Sequence, residues 1–254
     1  MNKNNLLFYK EYEEFYTMAK ESVAFKAYCE DAFGQDFSQD GFSDISQIEK
    51  LIPYIPDRKN VHILDIGCGN GKMLGYIQSR KNVYIHGFDY SEQAIKTAEE
   101  LYSINAEFRQ GVIGEIEYPE NSFDFVTSMD TIYFAKDMRV FVSQVKTWLK
   151  PDGVFFIGYQ EGDVMPKTES FDTMEIVKAL EYNQMLYETV DITEQTYIML
   201  KRKRNSALAH QREFTAEGNE KWFHMLMLQT KCSEDDYEDF AKKMSRHIFI
   251  LRKS

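Results

Sequence analysis

The chain is poor in cysteine, with only Cys29, Cys68 and Cys232 in 254 residues, far apart and odd in number. No C-x-x-C pair occurs, which argues against both a disulfide framework and a zinc site. The five histidines, His62, His86, His210, His224 and His247, show no H-x-x-x-H spacing, so no metal is expected. Long apolar runs are also missing, and none approaches the roughly 18 residues of a membrane-spanning helix. The opening Met1–Phe15 stretch has no apolar core and is already acidic, so it does not read as a secretory signal, and a cytoplasmic protein is expected. Basic residues are outnumbered, 30 Lys and Arg against 41 Asp and Glu, for a net charge of −11. Duplex nucleic acid, bound through many phosphate contacts, is therefore not an expected partner, and neither is a membrane. The one basic run, Lys201-Arg202-Lys203-Arg204, reads as a solvated helix face.

What remains is a chain 43% hydrophobic and 15% aromatic, long enough for a large core. It has no internal repeat, low-complexity tract or long Gly/Ser/Pro linker. Residues 1–60 read as an aromatic helical lid, with Phe8, Tyr12, Phe15 and Tyr16 at helical spacing and a polar glycine-marked loop from Phe33 to Phe42. Residues 61–160 alternate strand and helix: Val61–Ile66, Val83–Phe88, Ala106–Arg109, Phe123–Ser128 and Gly153–Tyr159 are strands. Residues 161–254 carry two closing strands, Met185–Ile192 and His247–Leu251, around an inserted helical cap over 193–243. Its last helix is expected to start at a Ser233-Glu234-Asp235-Asp236 capping box. The whole reads as one α/β domain over 1–254. The fold class is Rossmann-like, a seven-stranded and mostly parallel sheet with helices on both faces, plus N-terminal and C-terminal helical caps.

The most informative segment is Asp65-Ile66-Gly67-Cys68-Gly69-Asn70-Gly71, directly after the first apolar strand. Three glycines in five residues exceed what a tight turn needs and let a ligand approach the backbone, at the strand ends where open α/β sheets bind ligands. A dinucleotide fingerprint would place its third glycine where Lys72 stands, and a phosphate loop of the form G-x-x-x-x-G-K-[S/T] is absent. Asp89 ends the second strand, 20 residues beyond Gly69, where an acid grips ribose hydroxyls. The pattern asks for a ribose-bearing nucleoside with no pyrophosphate to cradle.

The glycine segment with Asp89, then Tyr118-Pro119-Glu120-Asn121-Ser122-Phe123-Asp124 and Leu149-Lys150-Pro151-Asp152-Gly153, resembles the class I S-adenosylmethionine-dependent methyltransferases, in order and over about residues 61–160. The flanks resemble small-molecule methyltransferases more loosely, with a Ser38-Gln39-Asp40-Gly41 loop that closes over the cofactor. The resemblance implies that Gly67, Gly69 and Gly71, with Cys68 between them, bring backbone to the methionyl part of S-adenosyl-L-methionine. It implies that Asp65 orients the loop, Asp89 takes the ribose diol, and Tyr90 flanks the adenine. Many relatives read the adenine amino group with an Asp where this chain has Gly111-Val112-Ile113, so Ile113 and backbone groups are expected there. Ser128 lies at the end of the fourth strand, beside the methyl group in this fold.

Acceptor contacts are expected from Tyr16, Tyr133, Tyr159, His210 and Arg212, and Asp130 and Tyr133 are the candidate catalytic residues, Asp130 as proton receiver. The implied reaction is methyl transfer to a small-molecule acceptor by in-line displacement, and a base is needed only if the nucleophile arrives protonated. A protein or RNA methyltransferase fits the acidic charge less well. A non-catalytic sensor or scaffold that binds the cofactor is the non-enzyme alternative.

Overall fold

The computed structural model describes residues 6–253, so the first five residues of the expected N-terminal lid lie outside the described residues. Seven strands form one sheet in the order β3-β2-β1-β4-β5-β7-β6. They are β1 (Val61–Ile66), β2 (Val83–Asp89), β3 (Ala106–Gln110), β4 (Phe123–Met129), β5 (Leu149–Glu161), β6 (Tyr187–Asp191) and β7 (Ser245–Arg252). The first five pair in parallel, and β7 runs antiparallel between β5 and β6. β1 and β4 are near-continuous apolar runs, as strands covered on both faces must be.

Alternate side chains feed two cores. Ile63, Phe125 and Phe156 face α1 (Tyr9–Glu21), α2 (Val23–Phe33), α4 (Lys72–Arg80), α5 (Glu92–Leu101) and α8 (Thr193–Ala209). Leu64, Val126 and Phe155 face α6 (Met138–Trp148) and α7 (Glu175–Tyr182), with Trp148 wholly buried among them. A short helix, α3 (Ile45–Ile48), follows the loop after α2 and starts at Asp44, whose side chain accepts from the Gln47 N–H. The chain leaves β1 toward β2 on one side and returns to β4 on the other. That reversal opens a crevice at the carboxyl end of β1, which positions the site.

The cap is less continuous than its periodicity suggests. It is broken into α8, α9 (Gln211–Ala216), α10 (Glu220–Gln229) and α11 (Tyr237–Lys243). The expected capping box is not used: Asp236 caps α11 by accepting from the Asp239 N–H, while the Ser233 hydroxyl donates to the Thr230 carbonyl. The basic run is not a solvated face either. Arg202 pairs with Asp44 and donates to the Ala32 carbonyl. Lys203 is 1% exposed and donates to the Gly41 carbonyl, and Arg204 pairs with Glu234. The run ties α8 to the loop between α2 and α3, because this face of α8 packs inward against α2.

The N-terminal helix meets the cap through Phe15, whose ring packs edge-on against Trp222 at 5.6 Å, and through the Lys221–Glu14 ion pair. Phe15, Tyr16, Met18 and Ala19 belong to the same core as the sheet, so α1 is packed structure and not a loose flap.

Candidate active site

The turn after β1 is held against β2 by backbone alone: Gly67 and Cys68 both donate to the Phe88 carbonyl, at 2.9 and 3.0 Å. Gly69 then donates to the Asp89 carboxylate at 3.0 Å, and the other carboxylate oxygen accepts from the Ser91 N–H at 2.9 Å. Asp89 is thereby fixed at the lip of the crevice, where the β1 turn, the end of β2 and the Gly111–Ile113 segment after β3 converge. Burial pushes its carboxyl up to about 6, and the two backbone N–H bonds oppose that rise. Asp65, also buried and on the cavity wall, is raised well above the ordinary carboxyl range by burial and then by the Asp89 charge.

Two glycines are required here. A side-chain carbon on Gly69, at φ +53°, would lie 2.4 Å from the Tyr16 hydroxyl oxygen, and one on Gly67, at φ +73°, would lie 2.6 Å from the Thr131 methyl. Gly71 serves differently. It does not line the cavity, and a side chain there would press on Phe108 and Ala98, so it allows α4 to pack on its neighbours.

The loop from Gln35 to Asp44 covers this crevice. Asn70 donates to the Phe37 and Ser38 carbonyls, and the Lys72 ammonium sits 2.6 Å from Asp36 and 2.8 Å from the Ser38 hydroxyl. Lys72, the residue that departs from the dinucleotide fingerprint, is thus a latch on the covering loop. From the other side, α1 docks on Tyr90: the rings of Tyr9 and Tyr12 lie 5.8 and 5.9 Å from it, and the Tyr90 hydroxyl donates to the Leu7 carbonyl.

Asp130 stands on the cavity wall, but the structure does not leave it free to receive a proton. The buried Arg246 guanidinium grips it with two bonds, at 2.9 and 2.6 Å. Arg246 also donates to Ser43 at 2.8 Å, to the Gln47 side chain and to the Phe42 carbonyl. This cluster staples the covering loop to the ends of β4 and β7, and nothing in the local sequence around Arg246 signals it.

Of the residues singled out in the sequence, Tyr16, Asp65, Gly67, Cys68, Gly69, Asp89, Tyr90, Ile113, Asp130 and Tyr133 line one cavity. Ser128 does not: it is fully buried, sharing a hydrogen bond with Thr131, which reaches the wall in its place. Tyr159 points to the opposite face of the sheet and packs behind the Tyr133 ring at 6.2 Å. His210 pairs with Asp31 at 2.8 Å and Arg212 is exposed on α9, neither of them at the cavity. Tyr12 of the expected lid and Asn70 of the glycine segment also line it, as do Met129, Thr131, Asp163 and Gln229, which the sequence did not single out. No group of three or more metal-ligating side chains occurs among the described residues, and no described helix is long and apolar enough to cross a membrane.

Comparison with known proteins shows the family. The family model of the methyltransferase domain matches residues 57–225, more than half of the chain. Phosphoethanolamine N-methyltransferase 3 of Arabidopsis thaliana is 29% identical over 230 residues, 83% of this chain and 43% of that protein. The phosphoethanolamine N-methyltransferase of Plasmodium falciparum is 26% identical over 86% of this chain and 78% of its own length. Among solved structures, phosphoethanolamine N-methyltransferase 2 of Haemonchus contortus, in complex with phosphomonomethylethanolamine and S-adenosylhomocysteine, superposes with a TM-score of 0.75 and 20% identity. The match covers 95% of this chain and 60% of that one. This chain therefore spans less than half the length of the Arabidopsis relative. With the family model matched across the glycine turn, Asp89 and the first six strands, the chain belongs to the class I S-adenosylmethionine-dependent methyltransferases.

Proposed function

We propose that the cavity binds S-adenosyl-L-methionine and that the protein transfers its methyl group to a small-molecule acceptor, as the names of the relatives suggest. The observation that carries this reading is Asp89, fixed by the Gly69 and Ser91 N–H groups at the lip of a glycine-lined crevice, with carboxylate lone pairs left for two ribose hydroxyls. The donor set fits the cofactor. Five aspartates (Asp40, Asp65, Asp89, Asp130 and Asp163) and no Lys, Arg or His stand among the described lining residues, which suits a ligand bearing positive charge and repels a pyrophosphate. When bound, the cofactor supplies an electrophilic sulfonium methyl. Gly67 to Gly69 would hold its methionyl part, Asp89 its ribose, and Tyr90 with Val112 and Ile113 its adenine.

What the chain must then do is align an acceptor and exclude water. The loop latched by Asn70 and Lys72 and the docked α1 provide the cover. The Tyr12, Tyr16 and Tyr133 hydroxyls line the cavity, each raised well above its ordinary value chiefly by burial, so they stay protonated and act as hydrogen-bond donors.

Differential scanning fluorimetry tests the assignment. S-adenosylhomocysteine at about 100 times its dissociation constant should add roughly 2.7 kcal/mol of stability and raise Tm, whereas NAD should not. Stabilisation by NAD alone would reject the reading.

A pH dependence follows from Asp89. Its folded value, about 6, lies above the ordinary 3.8, so its contribution to stability is greatest at low pH and is lost as pH rises from about 4 to 6. Cofactor binding runs the other way, because hydroxyl donors favour the carboxylate. Affinity for S-adenosylhomocysteine is expected to rise between pH 5 and 7 and to level off above, as followed by calorimetry. A flat profile across that window would remove Asp89 from the binding contact.

A further inference from the structure

Tyr12 stands on the cavity wall within electrostatic reach of Asp89 and of Asp40 and Asp163. Around the Asp40/Asp163 pair the wall carries Gly41 of the covering loop, Tyr133 after β4, in electrostatic reach of Asp163, and Gln229 of α10, bonded to Asp40. The carboxyls of Asp40 and Asp163 lie within electrostatic reach of each other. Asp40 accepts one hydrogen bond, from the Gln229 amide at 2.7 Å, and Asp163 accepts one from Gln160.

The cations nearest this end stand behind its wall. The Lys203 ammonium donates to the Gly41 carbonyl at 3.2 Å and lies 5.2 and 5.4 Å from the ring centroids of Phe42 and Phe33. Arg246 is bound by Asp130, Ser43, Gln47 and the Phe42 carbonyl. Neither is among the described lining residues. The hydroxyls of Tyr12, Tyr16 and Tyr133 face the cavity and have no hydrogen-bond partner among the described residues; Tyr16 is only 8% exposed.

We propose that this end of the cavity takes an organic cation, an amine or ammonium group carrying no phosphate or carboxylate of its own, held by the Asp40 and Asp163 carboxylates and by the ring faces of Tyr12 and Tyr133. The proposal rests on the methyltransferase reading above and names its acceptor class. A phosphate ester would set its negative charge against two carboxylates with no basic side chain among the described lining residues to answer it. An ammonium group instead brings positive charge to the cavity side of the pair, whose nearest cation, Lys203, stands behind the wall, and the aromatic rings attract it at no cost in unpaired donors.

The test begins with calorimetric titration of S-adenosylhomocysteine, and absence of binding at that stage overturns the methyltransferase reading itself. The saturated complex is then titrated with ethanolamine, choline and tyramine, and with the phosphate esters of the same three. At least one amine should bind at least tenfold more tightly than its own ester. The double variant Asp40→Asn, Asp163→Asn should lose amine affinity at least tenfold more than it loses affinity for S-adenosylhomocysteine. An ester that binds more tightly than its amine, especially if Lys203→Met abolishes that binding, overturns the proposal. So does a saturated complex that binds none of the three amines.

Discussion

Asp89→Ala is expected to weaken S-adenosylhomocysteine binding by at least about a hundredfold. Each charge-assisted hydrogen bond to a ribose hydroxyl contributes about 1.5–3 kcal/mol, and two are lost together. The loss extends to the protein, because Asp89 also accepts the Gly69 and Ser91 N–H groups, so the variant frees the glycine turn as well as the ribose contact. Tm should fall by a few degrees without loss of the fold, since the carboxylate is itself costly to bury and its removal offsets part of the orphaned donors. Asp89→Asn keeps an acceptor oxygen and should lose only about tenfold, the share that belongs to charge. Unchanged affinity in the alanine variant would mean that the ribose lies elsewhere.

The second large effect is on stability. Arg246→Met should destabilise the protein by about 3–5 kcal/mol, because it leaves the buried Asp130 carboxylate without its cation and with only the long Ser43 hydroxyl contact. At roughly 2–4 °C per kcal/mol for a domain of this size, Tm should drop by about 6–20 °C. The Phe42 carbonyl, Ser43 and Gln47 lose their donor at the same time, so the covering loop should open and cofactor affinity should fall with stability. Adding Asp130→Leu to Arg246→Met removes the orphaned charge and should recover part of the loss, as replacement of a whole buried pair does. If the single variant melts within a degree or two of the parent, the pair is not the staple described here.

The glycine-turn end of the cavity was legible because its geometry is local. The glycines, Asp65 and Asp89 lie on two adjacent parallel strands, and a single βαβ unit brings them together without help from the rest of the chain. The other end of the cavity was not legible, because its parts come from places as distant as Asp40, Asp163 and Gln229, joined only by tertiary packing. Arg246 reaches Ser43 across 203 positions and Lys203 reaches Gly41 across 162, and no window of sequence contains both partners.

Other departures have simple physical sources. Tyr159 shares its side of β5 with Phe155 and Ile157, so the two-residue period of the strand already turns it away from the crevice side that Phe156 faces. His210 and Arg212 follow a helix of 17 residues, which carries the chain about 25 Å from where α8 begins. The basic run misled because four consecutive charges on a helix necessarily point in several directions, and here the Lys203 direction is inward.

The most direct measurement is a crystal structure of the protein with S-adenosylhomocysteine. The account predicts the ribose hydroxyls on the Asp89 carboxylate, the adenine between Tyr90 and the Val112–Ile113 backbone, and the methionyl part over Gly67–Gly69, with the thioether sulfur facing the space walled by Asp40, Tyr133 and Asp163. A ligand bound with its ribose away from Asp89, or with its sulfur turned from that space, would contradict it.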